Sequence, residues 1–269
     1  MNPEGFWQMP RLWWRERWLL VGFVERELRG RYVGSIGGLV WILVHPLILL
    51  AIYTMVFQAI FRVRLPEMGA SPFVVFAALG LWPWLMFQEG LQRASQAIKA
   101  NSTLVRKVAF QQELLVFAAT LAAFAAHLVG FLIALLALAL FGVDIHWSGL
   151  PMALALVAGL FLFTLAVGLC LAVLQVFIPD MEQILGPILS VLFYATPVLY
   201  PLMAAPEWLR GIMTLNPVLH FVEPIRAVLL GNAIEAETAR PFVLVAAPLL
   251  IFPALLLFRR LSPYTEDFL

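Results

Sequence analysis

The charged residues of this chain come in bunches, separated by long uncharged gaps. No Asp, Glu, Lys or Arg occurs from Tyr32 to Phe61, Met68 to Gln88, Leu114 to Val143, Ile145 to Pro179, Gln183 to Pro206, or Pro241 to Phe258. Each gap approaches or exceeds the ~20 residues a helix needs to cross a hydrocarbon core of about 30 Å. Backbone polar groups in lipid must be satisfied within their own element, so these gaps predict helices. A membrane β-barrel would alternate polar and apolar positions in segments of about ten residues, and no such alternation is visible. The pattern predicts an all-α integral membrane protein with six transmembrane helices, at 36–60, 71–92, 113–140, 151–177, 183–202 and 241–260. The whole of 1–269 reads as one membrane domain, without internal repeat, Ser/Gly linker or low-complexity tract.

Composition agrees with this pattern. The 269 residues are 63% hydrophobic and 12% charged, with mean hydropathy +0.94. Soluble domains carry about 25% charge, so a water-soluble globule is excluded, as is a disordered chain. A net charge of +1 gives no bulk electrostatic case for nucleic acid as a partner. The single cysteine, Cys170, excludes an internal disulfide.

An even number of spans puts both termini on one side, and the basic residues choose it. Arg11, Arg15, Arg17, Arg26, Arg29 and Arg31 precede the first span. Arg93, Lys99, Arg106 and Lys107 lie between the second and third, and Arg259 and Arg260 follow the last. That side holds twelve of the 17 basic residues; the other has Arg62, Arg64, Arg210, Arg226 and Arg240. The positive-inside rule places both termini in the cytoplasm.

Residues 11–30 differ from the spans. On a helical wheel Trp14, Trp18, Val21, Val24 and Leu28 share one side, and Arg15, Glu16, Arg26 and Glu27 the other, with Arg17 and Glu25 breaking the pattern. This predicts an amphipathic helix in the cytoplasmic interface, tryptophans at headgroup depth. The N-terminus lacks the h-region and cleavage site of a signal peptide. Two connections exceed a turn. Residues 93–112 form a basic cytoplasmic loop. Residues 203–240, on the other side, hold two short apolar pieces near 207–215 and 218–230, interrupted by Pro201, Pro206, Pro217 and Pro224. Pieces too short to span predict re-entrant or interfacial helices.

Chemistry-bearing motifs are absent. There is no G-x-x-x-x-G-K-[ST] phosphate cradle, G-x-G-x-x-G, H-E-x-x-H or G-x-S-x-G in the chain. His45, His127, His146 and His220 sit on separate elements without metal-ligand spacing, so neither a metal site nor a catalytic residue is expected. Within the spans, Glu89 is expected to reach the interface, and His45 and His127 to hydrogen-bond between helices as neutral imidazoles. Glu207–Arg210 and Glu223–Arg226, each at i,i+3, suit helix-surface pairs. The distinctive content is aromatic: 21 Phe, 9 Trp and 5 Tyr. Interfacial belts account for many. Trp41, Tyr53, Phe57, Trp82, Trp84, Phe193, Tyr194 and Tyr200 could instead line a translocation path, because sugar C–H faces stack on aromatic rings.

Three blocks carry a family resemblance. The first runs from Arg29-Gly-Arg31-Tyr32 through Gly38-Leu39-Val-Trp41 to Pro46. The second is Gly80-Leu-Trp82-Pro83-Trp84, followed by Asn101, Leu104, Arg106, Lys107 and Phe110. The third is Val176-Phe-Ile-Pro179-Asp180-Met181, then Thr196-Pro197-Val198-Leu-Tyr200-Pro201, then Asn216-Pro217, Glu223 and Arg226. In order and placement they resemble the permease subunits of polysaccharide ABC exporters, which move O-antigen, teichoic acid or capsule, the O-antigen type being most similar. Gln111, Pro179 and Thr196 depart from the residues usual there.

The resemblance implies a homodimer with two copies of a separate P-loop ATPase, which would bind ATP and Mg; this chain would hold no cofactor. It implies a coupling helix within 93–112, with Lys99, Asn101, Leu104, Arg106, Lys107 and Phe110 facing the ATPase. Trp14, Trp18, Arg29, Arg31 and Tyr32 would flank substrate access, and Asn216, Pro217, Glu223 and Arg226 would form a periplasmic gate between spans five and six. The substrate would be an undecaprenyl-linked polysaccharide leaving the bacterial inner membrane for the periplasm, its lipid tail kept in membrane lipid. The alternatives are a drug or small-lipid exporter of the same plan, a membrane enzyme, and a channel without ATP dependence. The enzyme would need clustered Glu, His, Asn or Asp on the spans, which the sequence lacks.

Overall fold

The computed structural model describes residues 16–32, 37–60, 73–232 and 242–269, and among them every regular element is helical. The elements are α1 (Arg17–Tyr32), α2 (Trp41–Thr54, continuing as a π-helical turn over Met55–Ile60), α3 (Phe73–Ala100), α4 (Ser102–Lys107), α5 (Glu113–Leu140), α6 (Leu150–Phe177), α7 (Met181–Ala195), α8 (Glu207–Met213), α9 (Leu219–Leu229) and α10 (Phe242–Leu261). Among the described residues, five helices are long and apolar enough to cross a membrane: those over Trp41–Gln58, Phe73–Ala100, Glu113–Leu140, Trp147–Phe177 and Val245–Asp267. The sixth apolar helix, α7, has 15 residues. At 1.5 Å per residue it is about 22 Å long, short of the hydrocarbon thickness.

The C-terminal ends of two spans differ from the sequence reading, each for a physical reason, and the first span starts as an α-helix at Trp41, not at 36. The fifth span, expected to reach residue 202, stops at Ala195. Thr196 precedes Pro197 and is extended, at φ −103 and ψ 130, as a residue before proline prefers. The second span, expected to end at residue 92, continues to Ala100. Ala94, Ala97 and Ile98 prolong its buried stripe, and Arg93 pairs with Glu89 one turn back at 2.6 Å. The long basic loop therefore shrinks to residues 101–112, with α4 inside it.

α3 is the central post. Of its apolar window 83% is buried, against 11% for the α2 window and 22% for the α10 window. It packs along α5 and α6; α10 leans on α6, and α1 on α5. Gly168 of α6 lies where an added Cβ would stand 2.6 Å from the Ala94 Cβ, so small residues set the closest α3–α6 approach. At the basic end, Glu113 at the start of α5 accepts two hydrogen bonds from the Arg259 guanidinium of α10, at 2.9 Å from Nε and 2.5 Å from an Nη. A buried carboxylate so paired fixes α10 against α5.

α1 packs on the bundle through buried Phe23, with Leu20 and Val24 beside it, while Trp18 and Val21 of the expected interfacial side are exposed. The helix thus presents a packed face to the bundle and an aromatic one outward. Trp14 lies outside the described residues. So do the side chains of Arg31 and Tyr32, although both close α1. α8 and α9 fall within the two short apolar pieces anticipated after span five.

Candidate functional site

A groove of about 590 Å³ opens between α2, α3, α5 and α7 in the half of the bundle nearer α1. Its floor is polar. Gln88, Gln92 and Gln96 follow one another at i,i+4 on α3 and so form one row. Glu89 and Arg93 make the adjoining wall. Glu89 also accepts a hydrogen bond from Nε2 of His127, 2.6 Å away on α5, and His127 is buried. Arg93 comes within 3.6 Å of Glu27 on α1. His45 of α2 and Glu182 of α7 face this wall from the other side, and Glu182 is bound by Lys99 at 3.0 Å. Glu89 thus joins α3 to α5 beside the groove. His127 does bond between helices.

Beyond the glutamine row the same side of α3 turns aromatic. Nε1 of Trp84 donates to Gln88 Oε1 at 2.7 Å. Trp84 packs on Phe193 with ring centroids 5.4 Å apart, and Phe193 meets Tyr53 at 5.7 Å and Tyr194 at 5.3 Å. The Tyr200 hydroxyl donates to the Tyr194 carbonyl. Phe57 stacks on Phe73 at 5.5 Å.

Five of the eight aromatics expected on a path are thus contiguous, though not equally accessible. Tyr194 is 64% exposed; Trp84 is 1% exposed and Phe193 is buried. Trp82 departs altogether: it is fully buried, with its Nε1 against Gly130 of α5. Residues two apart on a helix point to different sides, so Trp82 and Trp84 could not line one path. Both are packing residues of the protomer, with Trp84 backing the aromatic row. Trp41, about half exposed, stands near the basic end beside Gly37.

At the basic end, Asn101 donates to the Ala97 carbonyl and accepts from Arg26 of α1 at 2.5 Å. Val105 is buried, and Phe110 packs on Phe23 of α1 at 5.6 Å. Leu104 is half-buried, while Arg106 and Lys107 are exposed and, among the described residues, have no ion-pair partner. Lys99, bound to Glu182, is committed to the bundle. The short helix is thus clamped to α1 and offers two uncommitted cations outward.

At the opposite end, the expected surface pair Glu223–Arg226 forms at 2.5 Å but is not on the surface, since Arg226 is 3% exposed. Its guanidinium lies 3.6 Å above the Phe76 ring centroid and donates to the carbonyls of Pro197 and Val198 at 3.0 and 3.1 Å. It fills the space a side chain at Gly80 would need. Asn216, next to Pro217, donates to the Thr196 hydroxyl at 2.7 Å and caps the Val218 N–H at 3.0 Å. Arg210 donates to the Ala205 carbonyl at 2.8 Å instead of pairing with Glu207.

Comparison with known proteins bears on this arrangement. The sequence model of the family described as "ABC-2 type transporter" matches residues 20–230. The chain belongs to the ABC-2 transporter membrane family, among its polysaccharide-export permeases. It is 30% identical over 236 residues to the O-antigen export system permease protein RfbA of Myxococcus xanthus, covering 86% of each chain. It is 25% identical over 222 residues to the protein of that name from Klebsiella pneumoniae, covering 81% of this chain and 83% of the relative. The polysialic acid transport protein KpsM of Escherichia coli is 22% identical over 234 residues, with 87% and 90% covered.

The permease is accordingly a multi-pass membrane protein of a transport family. Sequence reasoning missed two of its residues: Gln92 closed what read as the second span, and Gln96 fell in what read as a loop. His127 was visible, but its partner Glu89 lies 38 positions away, beyond any local pattern.

Proposed function

We propose that this permease is the membrane half of an ATP-driven exporter for lipid-linked polysaccharide, most similar to the O-antigen type. One observation carries the proposal: a polar groove runs into an aromatic row on the one side of α3 flanked by sparsely packed helices. α2 and α7 touch the bundle little, and α7 turns Ile184, Ile188, Val191 and Tyr194 outward at helical spacing. Such a face suits a second copy, so that two half-grooves enclose one path.

Both termini are cytoplasmic in the inner membrane, as the basic residues favour. α8 and α9 dip into the periplasmic leaflet, and the Asn216–Pro217 turn with Glu223 and Arg226 supports the exit. Two copies of a P-loop ATPase, holding ATP and Mg, dock on α4 and α1. Nucleotide binding pushes α4, and the half-bundles shift as rigid bodies. The undecaprenyl tail stays in lipid. An apolar recess of about 500 Å³, bordered by Leu28 of α1, Val40 and Ile42 near the start of α2, and Val129 and Ile133 of α5, suits its first isoprenes. Stacking contacts of about 0.5–1.5 kcal/mol each release readily, which a sliding polymer needs.

Exposed aromatics offer a clean test. Tyr194→Ala keeps the backbone carbonyl that Tyr200 uses and removes only an exposed ring. Paired with Trp41→Ala, it should lower surface glycan by roughly 3- to 10-fold, from loss of one or two such contacts. Surface glycan in a deletion strain complemented with each variant, at matched membrane levels, measures this. Wild-type glycan with both variants would remove the aromatic path, and wild-type glycan in the deletion strain would remove the export function.

A further inference from the structure

The charges around the polar groove are already spent on one another, and its amides are not. Glu89 is held by both Arg93 and His127, at 2.6 Å each, and Glu182 by Lys99 at 3.0 Å. Arg93 is shared between Glu89 and Glu27. An anion entering here would meet two carboxylates, and Arg93, the only Lys or Arg among the lining residues, is already shared between Glu89 and Glu27. The amides can donate to it, but no unpaired guanidinium or ammonium offsets its charge. A neutral polyol faces no such penalty.

The glutamine row is built for that ligand. Gln92 and Gln96 side chains have no hydrogen-bond partner among the described residues, and Gln88 commits only its oxygen, to Trp84. Each amide supplies two donors and an acceptor, the complement of a sugar hydroxyl pair. Successive members stand about 5–6 Å apart at their Cβ atoms, on the scale of one pyranose. Gln88 leads directly to Trp84 and the aromatic row, where sugar faces can stack.

We infer that the α3 row Gln88–Gln92–Gln96 is a binding site for uncharged sugar units, and that the paired charges around it select neutral against acidic glycans. The inference rests on the export reading above and deepens it to a substrate class. The Glu89–Arg93–His127 wall keeps the row in register, and the row, not the wall, contacts the glycan.

Saturation-transfer NMR on the full chain in lipid nanodiscs tests this, with maltoheptaose as the neutral probe and an oligogalacturonate of equal length as the acidic one. The wild type should give signal from maltoheptaose and roughly tenfold less from the acidic oligomer. Gln92→Leu with Gln96→Leu should lower the maltoheptaose signal by roughly tenfold, the loss of two or more hydrogen bonds. Gln92→Lys with Gln96→Lys should gain signal from the acidic oligomer, a result misfolding cannot produce. Equal binding of both oligomers, absence of maltoheptaose signal, or variants that bind as the wild type would each overturn the inference. Those outcomes leave the export reading intact if deletion of the chain still abolishes surface glycan; only retention of surface glycan in the deletion strain defeats that reading.

Discussion

Replacing Arg226 with Met is expected to unfold the end of the permease that holds α9. Met matches much of the arginine's length but removes every charge-assisted bond. Arg226 is buried and pairs with the partly buried Glu223, and its loss removes that ion pair and strips the Pro197 and Val198 carbonyls of their donor. Breaking a buried pair from one side costs about 3–5 kcal/mol, a large part of the 5–15 kcal/mol that holds a typical domain together. The protein should elute broadly from size-exclusion chromatography and lose its cooperative thermal transition. Arg226→Lys should rescue only part of this, because an ammonium cannot bridge two carbonyls and a carboxylate while lying flat on Phe76. Gly80→Ala should fail similarly, since its methyl would occupy the guanidinium's place. A wild-type melting temperature for Arg226→Met would show that the pin is dispensable.

The second large effect is expected at the other end, on binding instead of folding. Arg106→Glu with Lys107→Glu reverses two exposed charges on α4 while Val105 and Phe110 keep the helix anchored. Reversed charges in an interface cost several kcal/mol. ATPase binding should therefore weaken on the order of 10- to 100-fold, with the permease itself still folded. Co-purification at graded salt concentrations measures it. Unchanged binding would mean that α4 is not the docking element.

Much of the fold was readable because lipid excludes charge from long segments. The third, fourth and sixth spans began and ended within one residue of α5, α6 and α10. Reading failed where another force decided the boundary. Hydropathy ended the second span at Gln92, yet the small and apolar Ala94, Ala97 and Ile98 carried α3 further against α5 and α6. The Thr196–Pro197 step was visible but was overruled by the apolar run around it.

The site was less legible for a similar reason. Trp82 and Trp84 both looked like path residues, although their spacing of two already assigned them to different sides of α3. Arg226 read as a surface ion pair because it stood at i+3 from Glu223. Its burial depends on Gly80, Phe76 and two carbonyls from distant segments. The groove needed α2, α3, α5 and α7 together, and no local pattern links His127 to Glu89.

The central claim is that the permease carries glycan and a separate ATPase drives it. Proteoliposomes containing the full chain, with and without the ATPase, loaded with fluorescent lipid-linked glycan on the ATPase side, test this most directly. Glycan should reach the far leaflet only with both proteins and hydrolysable ATP, and should stay put with a non-hydrolysable analogue. Transfer by the permease alone, or at the same rate without hydrolysis, would contradict it.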